Sequence, residues 1–243
     1  RIEDAAGRAS TGSLEVNVRN VAPTVTVSGA PRVDEGSAYG VSLTVSDPGD
    51  DTFTELTVDW GDGSIETFFS AGEFSHVYLD GPATRDITVD VRDEDGLHFE
   101  AGALEDLAVD NVAPLLVLDK MAAIDENGIA TLTGTIIDPG VLDTFVLLVT
   151  WGDGQTTQHQ LPAAAGSQGF TLTHQYLDDD PSGTGADVYT VSGSVTDKDG
   201  GKGSHATTVT VNNLAPEVVL DKVAAIDENG VATLTGTIFD TGT

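Results

Sequence analysis

The chain has 243 residues, 39% of them hydrophobic, and its 40 acidic side chains outnumber 10 basic ones to give a formal net charge of -30. This charge excludes nucleic-acid binding and adsorption to anionic membranes, both of which need positive surfaces. With no cysteine, the chain has neither disulfides nor thiolate metal sites. It lacks an apolar stretch of about 18 residues, and residues 1–25 lack a signal-peptide pattern, so we expect no membrane insertion in this segment.

Short sequence markers recur in a fixed order along the chain. An Asn-(Val/Leu)-Ala-Pro segment ends at Pro23, Pro114 and Pro216. A Trp-Gly-Asp-Gly turn occurs at 60–63 and 151–154. An acidic Asp-x-Asp-Gly turn occurs at 93–96 and 197–200, with an eroded copy at 4–7. Repeats of this kind predict an array of similar domains.

The markers divide the chain into four parts. Residues 1–22 are expected to be the C-terminal hairpin of a preceding repeat, 23–113 and 114–215 whole repeats, and 216–243 the N-terminal third of a following repeat. Because both ends fall inside a repeat, we expect a segment of a longer tandem array. "DKVAAIDENGVATLTGTI" nearly copies "DKMAAIDENGIATLTGTI", which indicates recent duplication.

Apolar residues alternate with polar ones in both whole repeats. In the first repeat the alternating positions are Val41, Leu43 and Val45, then Leu56, Val58 and Trp60, then Ile87, Val89 and Val91. In the second they are Phe145, Leu147, Val149 and Trp151, then Phe170, Leu172, His174 and Tyr176. This period of two is typical of half-buried antiparallel strands. About seven such strands in about 100 residues predict an all-β, immunoglobulin-like antiparallel sandwich for each repeat, in an elongated array.

These motifs together resemble PKD-type (polycystic kidney disease) domains. The resemblance rests on Trp-Gly-Asp-Gly closing one strand, His-x-Tyr at 76–78 and 174–176, the acidic last hairpin and the Asn-Val-Ala-Pro exit, and it covers the whole chain. It implies the tandem, immunoglobulin-like repeats of large bacterial surface proteins, used in stalks, adhesins and enzyme appendages, some of which bind calcium near the inter-domain linker. Two departures are Ala6, in place of the second Asp of the hairpin, and Thr241, in place of the turn proline.

Loop order predicts where the acidic residues lie, because successive loops of such a sandwich alternate between its two ends. The first and fifth loops, with Glu35 and Asp80, are expected at the C-terminal end of the first repeat. The second loop (47–51) and the last loop (93–96) are expected at the N-terminal end. Loops of one whole repeat therefore face those of the next at their junction.

The residues expected to converge at such junctions form the candidate metal sites. They are Asn20, Asp47, Asp51, Asp93, Asp95, Glu35, Asp80, Asp110, Asn111, Asp138, Asp143, Asp197, Asp199, Glu126, Asn213 and Asp240. Two unit charges about 4 Å apart cost about 4 kcal/mol at an effective dielectric of about 20, and Lys198 is the only basic residue here. Oxygen ligands without local His or Cys favour Ca²⁺ as the cofactor. In the alternative interpretation the aspartates only cap turns, and Glu35 and Glu126 lie in solvated loops.

Other conspicuous residues receive structural interpretations. We expect Asp62 and Asp153 to cap turns. The aromatic residues Trp60, Trp151, His76 and His174 are expected to be packed and, for the histidines, hydrogen-bonded, rather than sugar-binding or catalytic. The run 178–180 is interpreted as a solvated loop, with participation in the next junction as the alternative.

The sequence favours a structural function. We expect a non-catalytic segment of an extracellular stalk, adhesin or filament at a bacterial cell surface, in which Ca²⁺ stiffens the junctions. Its partners are the neighbouring repeats and, as a further possibility, other copies of the chain in a filament or surface layer. The alternative is a recognition module that binds glycan or protein through its loops or faces. An enzyme is not expected, because no nucleophile–base–acid set recurs.

Overall fold

The computed structural model describes residues 1–49, 51–164, 166–179 and 182–242, and its regular structure is entirely β. A short hairpin pairs β1 (Ile2–Glu3) with β2 (Ala9–Ser10). The first whole repeat contains β3 (Thr24–Gly29), β4 (Arg32–Asp34), β5 (Ala38–Ser46), β6 (Glu55–Asp59), β7 (Ile65–Phe68), β8 (Gly72–Val77), β9 (Ala83–Arg92) and β10 (Leu97–Asp110). The second contains β11 (Leu115–Leu118), β12 (Ile124–Asp125), β13 (Ile129–Asp138), β14 (Phe145–Thr150), β15 (Thr156–Leu161), β16 (Gly166–Gln175), β17 (Ala186–Asp197) and β18 (Lys202–Asn212). Two further strands, β19 (Glu217–Leu220) and β20 (Gly236–Phe239), pair in the last part of the chain. None of the described residues forms a helix with the length and apolarity of a membrane span.

Both whole repeats have the same two sheets. The first repeat has sheets of order β3-β5-β8 and β4-β10-β9-β6-β7, and the second has β11-β13-β16 and β12-β18-β17-β14-β15. This is the strand order of an immunoglobulin-like sandwich, so the predicted fold class is confirmed. In the described residues each repeat has eight strands rather than seven, because the first strand is split and its second half joins the other sheet. That half, β4 or β12, runs parallel to β10 or β18, an exception to the antiparallel pairing that the sequence predicted.

The alternating apolar residues form the cores, as predicted. Leu56, Val58 and Trp60 are fully buried in the first repeat. In the second, Leu147 and Trp151 belong to a cluster that draws side chains from both sheets. Each repeat therefore has buried apolar side chains of its own. Burying one large aliphatic or aromatic side chain stabilises a fold by about 1.5–3 kcal/mol.

The chain divides into two compact units. The first comprises Arg1–Pro31, Tyr39–His76 and Arg85–Leu107. The second comprises Arg32–Ala38, Val77–Thr84 and Ala108–Thr243. The loops of the first repeat that carry Glu35 and Asp80 therefore belong to the same compact unit as the second repeat.

Neighbouring leucines on β14 provide a test of the core. Leu147 is fully buried, whereas Leu148 is 43% exposed on the opposite face. We expect Leu147→Ala to lower the free energy of unfolding by about 2–5 kcal/mol, because it leaves a cavity in the core. Leu148→Ala is the control and should cost about 1 kcal/mol or less. Urea unfolding midpoints measure both, and equal losses would contradict this assignment of the core face.

Candidate metal centre

The acidic turn of the second repeat is shaped by Asp197. Its Oδ1 accepts hydrogen bonds from the backbone N–H groups of Asp199 and Gly201, each at 2.8 Å. Gly200 takes a φ of +94°, a conformation that favours glycine. The other oxygen, Oδ2, accepts a hydrogen bond from Asn111 Nδ2 at 3.0 Å. One oxygen of Asp197 therefore caps the turn, and the other contacts the linker between the whole repeats.

The acidic turn of the first repeat has the same cap but a different second partner. Asp93 Oδ1 accepts from the backbone N–H groups of Asp95 and Gly96, each at 2.9 Å. Asp93 Oδ2 lies 2.7 Å from His98 Nε2. Burial raises the pKa of Asp93, but the hydrogen bonds from Gly96, Asp95 and His98 outweigh it and lower the pKa overall. His98 was not among the predicted site residues, although its position just after the turn, on β10, was an available signal.

The Asp-Pro-Gly loop of the second repeat contributes two buried carboxylates. Asp138 Oδ1 accepts from the backbone N–H of Gly140 at 2.8 Å, while its Oδ2 is buried. Asp143 is fully buried. Among the described residues, no group donates a hydrogen bond to Asp138 Oδ2 or to either oxygen of Asp143. Lys198 Nζ lies 2.9 Å from Asp143 Oδ1 as an ion pair without hydrogen-bond alignment.

Two loops of the first repeat are held against this loop of the second. The backbone N–H of Gly36 donates to the carbonyl of Tyr78 at 2.8 Å, which joins the Glu35 and Asp80 loops. The N–H of Val141 donates to the carbonyl of Leu79 at 3.1 Å, which joins them to the second repeat. A Cβ on Gly36 would lie 2.6 Å from Pro139 Cβ, so the approach requires glycine.

The glutamates at positions 35 and 126 are buried and bind the linkers. Glu35 Oε2 accepts from the N–H of Gly81 at 2.6 Å, and its Oε1 accepts from the N–H of Val112 at 2.8 Å. Glu126 Oε1 accepts from the N–H of Leu214 at 2.8 Å. The solvated-loop interpretation is therefore wrong for both, because each carboxylate satisfies backbone donors at the exit of its repeat.

Four groups of three carboxylates have oxygens that all lie within 4.8 Å of one another and could hold a metal ion. They are Glu35–Asp80–Asp143, Asp138–Asp143–Asp197, Asp47–Asp51–Asp93 and Glu126–Asp178–Asp179. The first two share Asp143, and we name their five residues the junction cluster. We name the third group the first-repeat cluster. The proximity that loop order predicted for Glu35 and Asp80 with Asp138, Asp143 and Asp197 is present in the structure.

The remaining predicted residues lie outside these groups. Asp199 pairs with Lys198 beside the junction cluster. Asp110 forms a two-pronged ion pair with Arg32, with N–O distances of 2.6 and 2.8 Å. Four others are exposed and in none of the groups: Asn20, Asp95, Asn213 and Asp240.

The run 178–180 was interpreted as solvated, which is wrong for Asp179 because that residue is buried. Asp178 and Asp179 instead lie close to Glu126, which fits the alternative prediction that this run takes part in the next junction. Asp180 lies outside the described residues.

Electrostatics in the junction cluster oppose ionisation. The pKa of Asp138 is raised to about 6, first by burial and then by the nearby charges of Asp143 and Asp197, against the opposing effects of the Gly140 hydrogen bond and of Lys198. Burial also raises the pKa of Asp143 and of Glu35. A cation among these oxygens would favour the charged forms, since opposite charge lowers a carboxyl pKa.

In the Trp-Gly-Asp-Gly turns the tryptophans pack in the core and the aspartates cap the turns, as predicted. His76 stacks on Trp60 with ring centroids 4.8 Å apart and an interplanar angle of 11°. Its Nε2 lies 2.8 Å from Asp62 Oδ2, while Asp62 Oδ1 caps the turn. The same arrangement recurs at Trp151, His174 and Asp153. The histidine partners of the two aspartates were not foreseen, because they depend on register between separate strands.

The eroded turn at 4–7 keeps its cap. Asp4 Oδ1 accepts from the N–H groups of Ala6 and Arg8, each at 2.9 Å, and Asp4 Oδ2 accepts from Arg8 Nε at 2.8 Å. In this copy, Arg8 is therefore the hydrogen-bond partner of the second oxygen of the turn aspartate.

The strand order defines a protein of tandem immunoglobulin-like β-sandwich repeats. No family model and no curated protein matches the chain. Similar solved structures include the PKD domain of an M14-like peptidase from a Thermoplasmatales archaeon, at 21% identity over 42% of this chain and 96% of that one, with a TM-score of 0.33. A tetra-tandem repeat from the extending region of a large adhesion protein is 22% identical over 89% of this chain and 56% of that one, with a TM-score of 0.40. Fibronectin(III)-like modules from Clostridium thermocellum are 16% identical over 78% of this chain and 94% of theirs, with a TM-score of 0.29. At these levels the likenesses carry no argument about function, and the fold class rests on the strand order.

Removal of the Glu35 carboxylate tests its role at the linker. In chelator, we expect Glu35→Ala to lower the free energy of unfolding by about 1–3 kcal/mol, because the N–H groups of Gly81 and Val112 lose their acceptor. Glu35→Gln keeps one acceptor oxygen and should lose less. Glu73→Ala, at an exposed position of β8, is the control and should change stability by about 0.5 kcal/mol or less. Chemical denaturation measures all three, and an unchanged Glu35→Ala protein would refute the linker role.

The raised pKa of Asp138 predicts a pH dependence in chelator. Because its folded pKa of about 6 exceeds the ordinary aspartate value of 3.8, the unfolded state loses this proton first. The contribution of Asp138 to stability therefore falls as pH rises from about 4 to about 6. Asp138→Asn keeps the Oδ1 acceptor for Gly140 and removes this loss.

We expect the stability of Asp138→Asn relative to wild type to rise by about 1 kcal/mol or more between pH 4 and 8, since one pKa unit corresponds to about 1.4 kcal/mol. Unfolding at several pH values measures this difference and cancels the titration of other groups. The charged residues that face Asp138 are the same in both proteins: Asp143, Asp197 and Lys198. A constant difference across this range would contradict the raised pKa.

Proposed function

We propose that the chain is a non-catalytic structural segment of an extracellular stalk, adhesin or filament, built from PKD-type repeats and stiffened by Ca²⁺ at its repeat junctions. The observation that carries this proposal is Asp143, a fully buried carboxylate to which no described group donates a hydrogen bond. Lys198 Nζ lies 2.9 Å from its Oδ1, which leaves Oδ2 without a partner among the described residues, and a buried charge of this kind is costly unless a further cation completes its surroundings.

The donor set favours Ca²⁺ over other metals. The four groups consist of carboxylates alone, and the buried Asn111 Oδ1 also accepts no hydrogen bond from the described residues. Ca²⁺ takes six to eight oxygen ligands in flexible geometry, whereas Zn²⁺ prefers nitrogen and sulfur. The junction cluster residues Glu35, Asp80, Asp138, Asp143 and Asp197 would supply most of this shell.

The ion would stiffen the junction because its ligands come from both whole repeats. Glu35 and Asp80 come from loops of the first, and Asp138, Asp143 and Asp197 from loops of the second. Binding would stabilise the arrangement in which these loops meet, by about 2.7 kcal/mol at a calcium concentration 100 times the Kd. Extracellular modules commonly bind Ca²⁺ with a Kd of about 10⁻⁴–10⁻³ M.

Recurrence along the chain supports a role in an array. The first-repeat cluster repeats the Asp-Pro-Gly loop and acidic turn of the junction cluster. In the Glu126–Asp178–Asp179 group, Glu126 corresponds to Glu35 of the junction cluster and Asp178 corresponds to Asp80. A chain with such a group at each successive junction fits a stalk whose partners are its own neighbouring repeats. A location at a bacterial cell surface, and packing against other copies of the chain, are parts of this proposal.

One observation favours a recognition module as the second candidate. A cleft of about 770 Å³ lies beside the Trp-Gly-Asp-Gly turn of the second repeat, and Asp153, His174, Gln175 and Tyr176 contribute to its lining. Polar and aromatic groups of this kind suit a glycan. Binding on a glycan array, abolished by Gln175→Ala, would favour this function.

Replacement of Asp143 tests the structural proposal. In millimolar calcium, wild type should melt at a higher temperature than in chelator, and Asp143→Asn should lose most of this rise because a central ligand is gone. In chelator, the variant should be at least as stable as wild type. One buried negative charge is removed, and Lys198 still pairs with Asp80 and Asp199.

Glu73→Gln, which removes an exposed charge on β8, is the control and should keep the full calcium response. Thermal unfolding and small-angle scattering measure stability and particle dimensions. The proposal fails if calcium changes neither quantity in wild type, or if Asp143→Asn is strongly destabilised in chelator and keeps the calcium response.

A further inference from the structure

The junction cluster contains a cation of its own. Lys198 Nζ lies 2.6 Å from Asp80 Oδ1 and 2.9 Å from Asp143 Oδ1, and it also pairs with Asp199. Its side chain is only 30% exposed. Burial lowers the pKa of Lys198, but the hydrogen bonds from its ammonium group to Asp199 and Asp80 and the nearby charge of Asp143 outweigh this and raise the pKa overall, so the lysine is charged.

The ammonium group and a metal ion would use the same oxygens. Asp80 and Asp143, the two cluster carboxylates that contact Lys198, are also two of the three members of the group completed by Glu35. A divalent ion bound by that group would lie next to the Lys198 ammonium and would bind the same carboxylates that now pair with it. The lysine must therefore give up contacts when the ion binds.

The position of Lys198 differs in charge among the copies of the acidic turn. The turn reads Asp-Ala-Ala-Gly at 4–7, Asp-Glu-Asp-Gly at 93–96 and Asp-Lys-Asp-Gly at 197–200, so the second residue is Ala5, Glu94 or Lys198. Glu94 accepts a hydrogen bond from the backbone N–H of Thr52 at 2.8 Å, in the same loop as Asp51. The first-repeat cluster thus has an acid beside it where the junction cluster has a base.

We propose that Lys198 is a built-in counter-ion that competes with divalent metal for the junction cluster and so raises the metal concentration at which this junction fills. The first-repeat cluster, with Glu94 in the equivalent position, fills at lower concentration. In the absence of metal, Lys198 keeps the acidic loops together. This inference rests on the proposed function for the identity of the ion, Ca²⁺.

Calorimetric titration of the 243-residue chain with calcium tests the inference. Lys198→Met removes the charge and keeps an unbranched side chain. We expect it to raise the calcium affinity of one class of sites by roughly tenfold or more, because a neighbouring positive charge is gone. Lys202→Met, at an exposed position on β18, is the matched control and should change affinity by about twofold or less, since solvent and salt screen its charge.

A second measurement reads the counter-ion role directly. In chelator, Lys198→Met should melt at a lower temperature than wild type and Lys202→Met, because Asp143 has lost its only ion-pair partner among the described residues. Millimolar calcium should remove this deficit. Glu94→Lys should weaken the other class of sites without changing the class that responds to Lys198→Met.

The outcomes separate this inference from the proposed function. If wild type and Lys198→Met bind calcium equally, the counter-ion role is overturned while the calcium-stiffened stalk stands. If only Lys198→Met binds calcium, the counter-ion role is supported and a calcium-stiffened wild-type stalk is not. If neither protein binds calcium, both are overturned.

Discussion

The burial of like charges at the repeat junction is the constraint on which the rest of this region depends. Asp143 is fully buried beside Asp138, and the oxygens of both lie close to Asp197. Carboxylates gathered in this way repel one another, and burial raises their pKa values. Positive charge beside these carboxylates, or protonation of one of them, relieves the repulsion. Lys198 supplies positive charge from within the chain, and in the proposed function a divalent ion would supply more.

The same side chains shape the loops and form the candidate site, because a carboxylate has two oxygens. In Asp138 and Asp197, Oδ1 accepts backbone hydrogen bonds that close a tight turn. Oδ2 then points toward the cluster or the linker. Turn capping and metal binding, which are alternatives when one motif is considered alone, are therefore compatible in one residue. Glu35 also has both roles, since its two hydrogen bonds from backbone N–H groups hold the linker beside the cluster.

The two whole repeats differ around their capped turns while they share the same sheet order. The sheets have the same strand order in both whole repeats, and the Trp–His–Asp packing is the same in both. The second partner of the turn aspartate changes instead, from His98 at Asp93 to Asn111 at Asp197. The second partner of the capped aspartate therefore changes between the repeats while the strand order and the Trp–His–Asp packing stay the same.

The sequence by itself determined the repeat order, the strand periodicity, the core residues and the loops that meet at the junction. These follow from local patterns: a period of two predicts strands, and an alternating loop order predicts which ends face each other. Only the tertiary structure decided how each acid is used. Asp110 pairs with Arg32 because β4 runs parallel to β10, and no local pattern predicts that pairing. The surroundings of Glu35 and Asp179 likewise come from distant parts of the chain, since Glu35 bonds to Gly81 and Val112 and Asp179 lies near Glu126. The roles of individual charges are set by distances and burial across the fold, and those quantities are not encoded in sequence spacing.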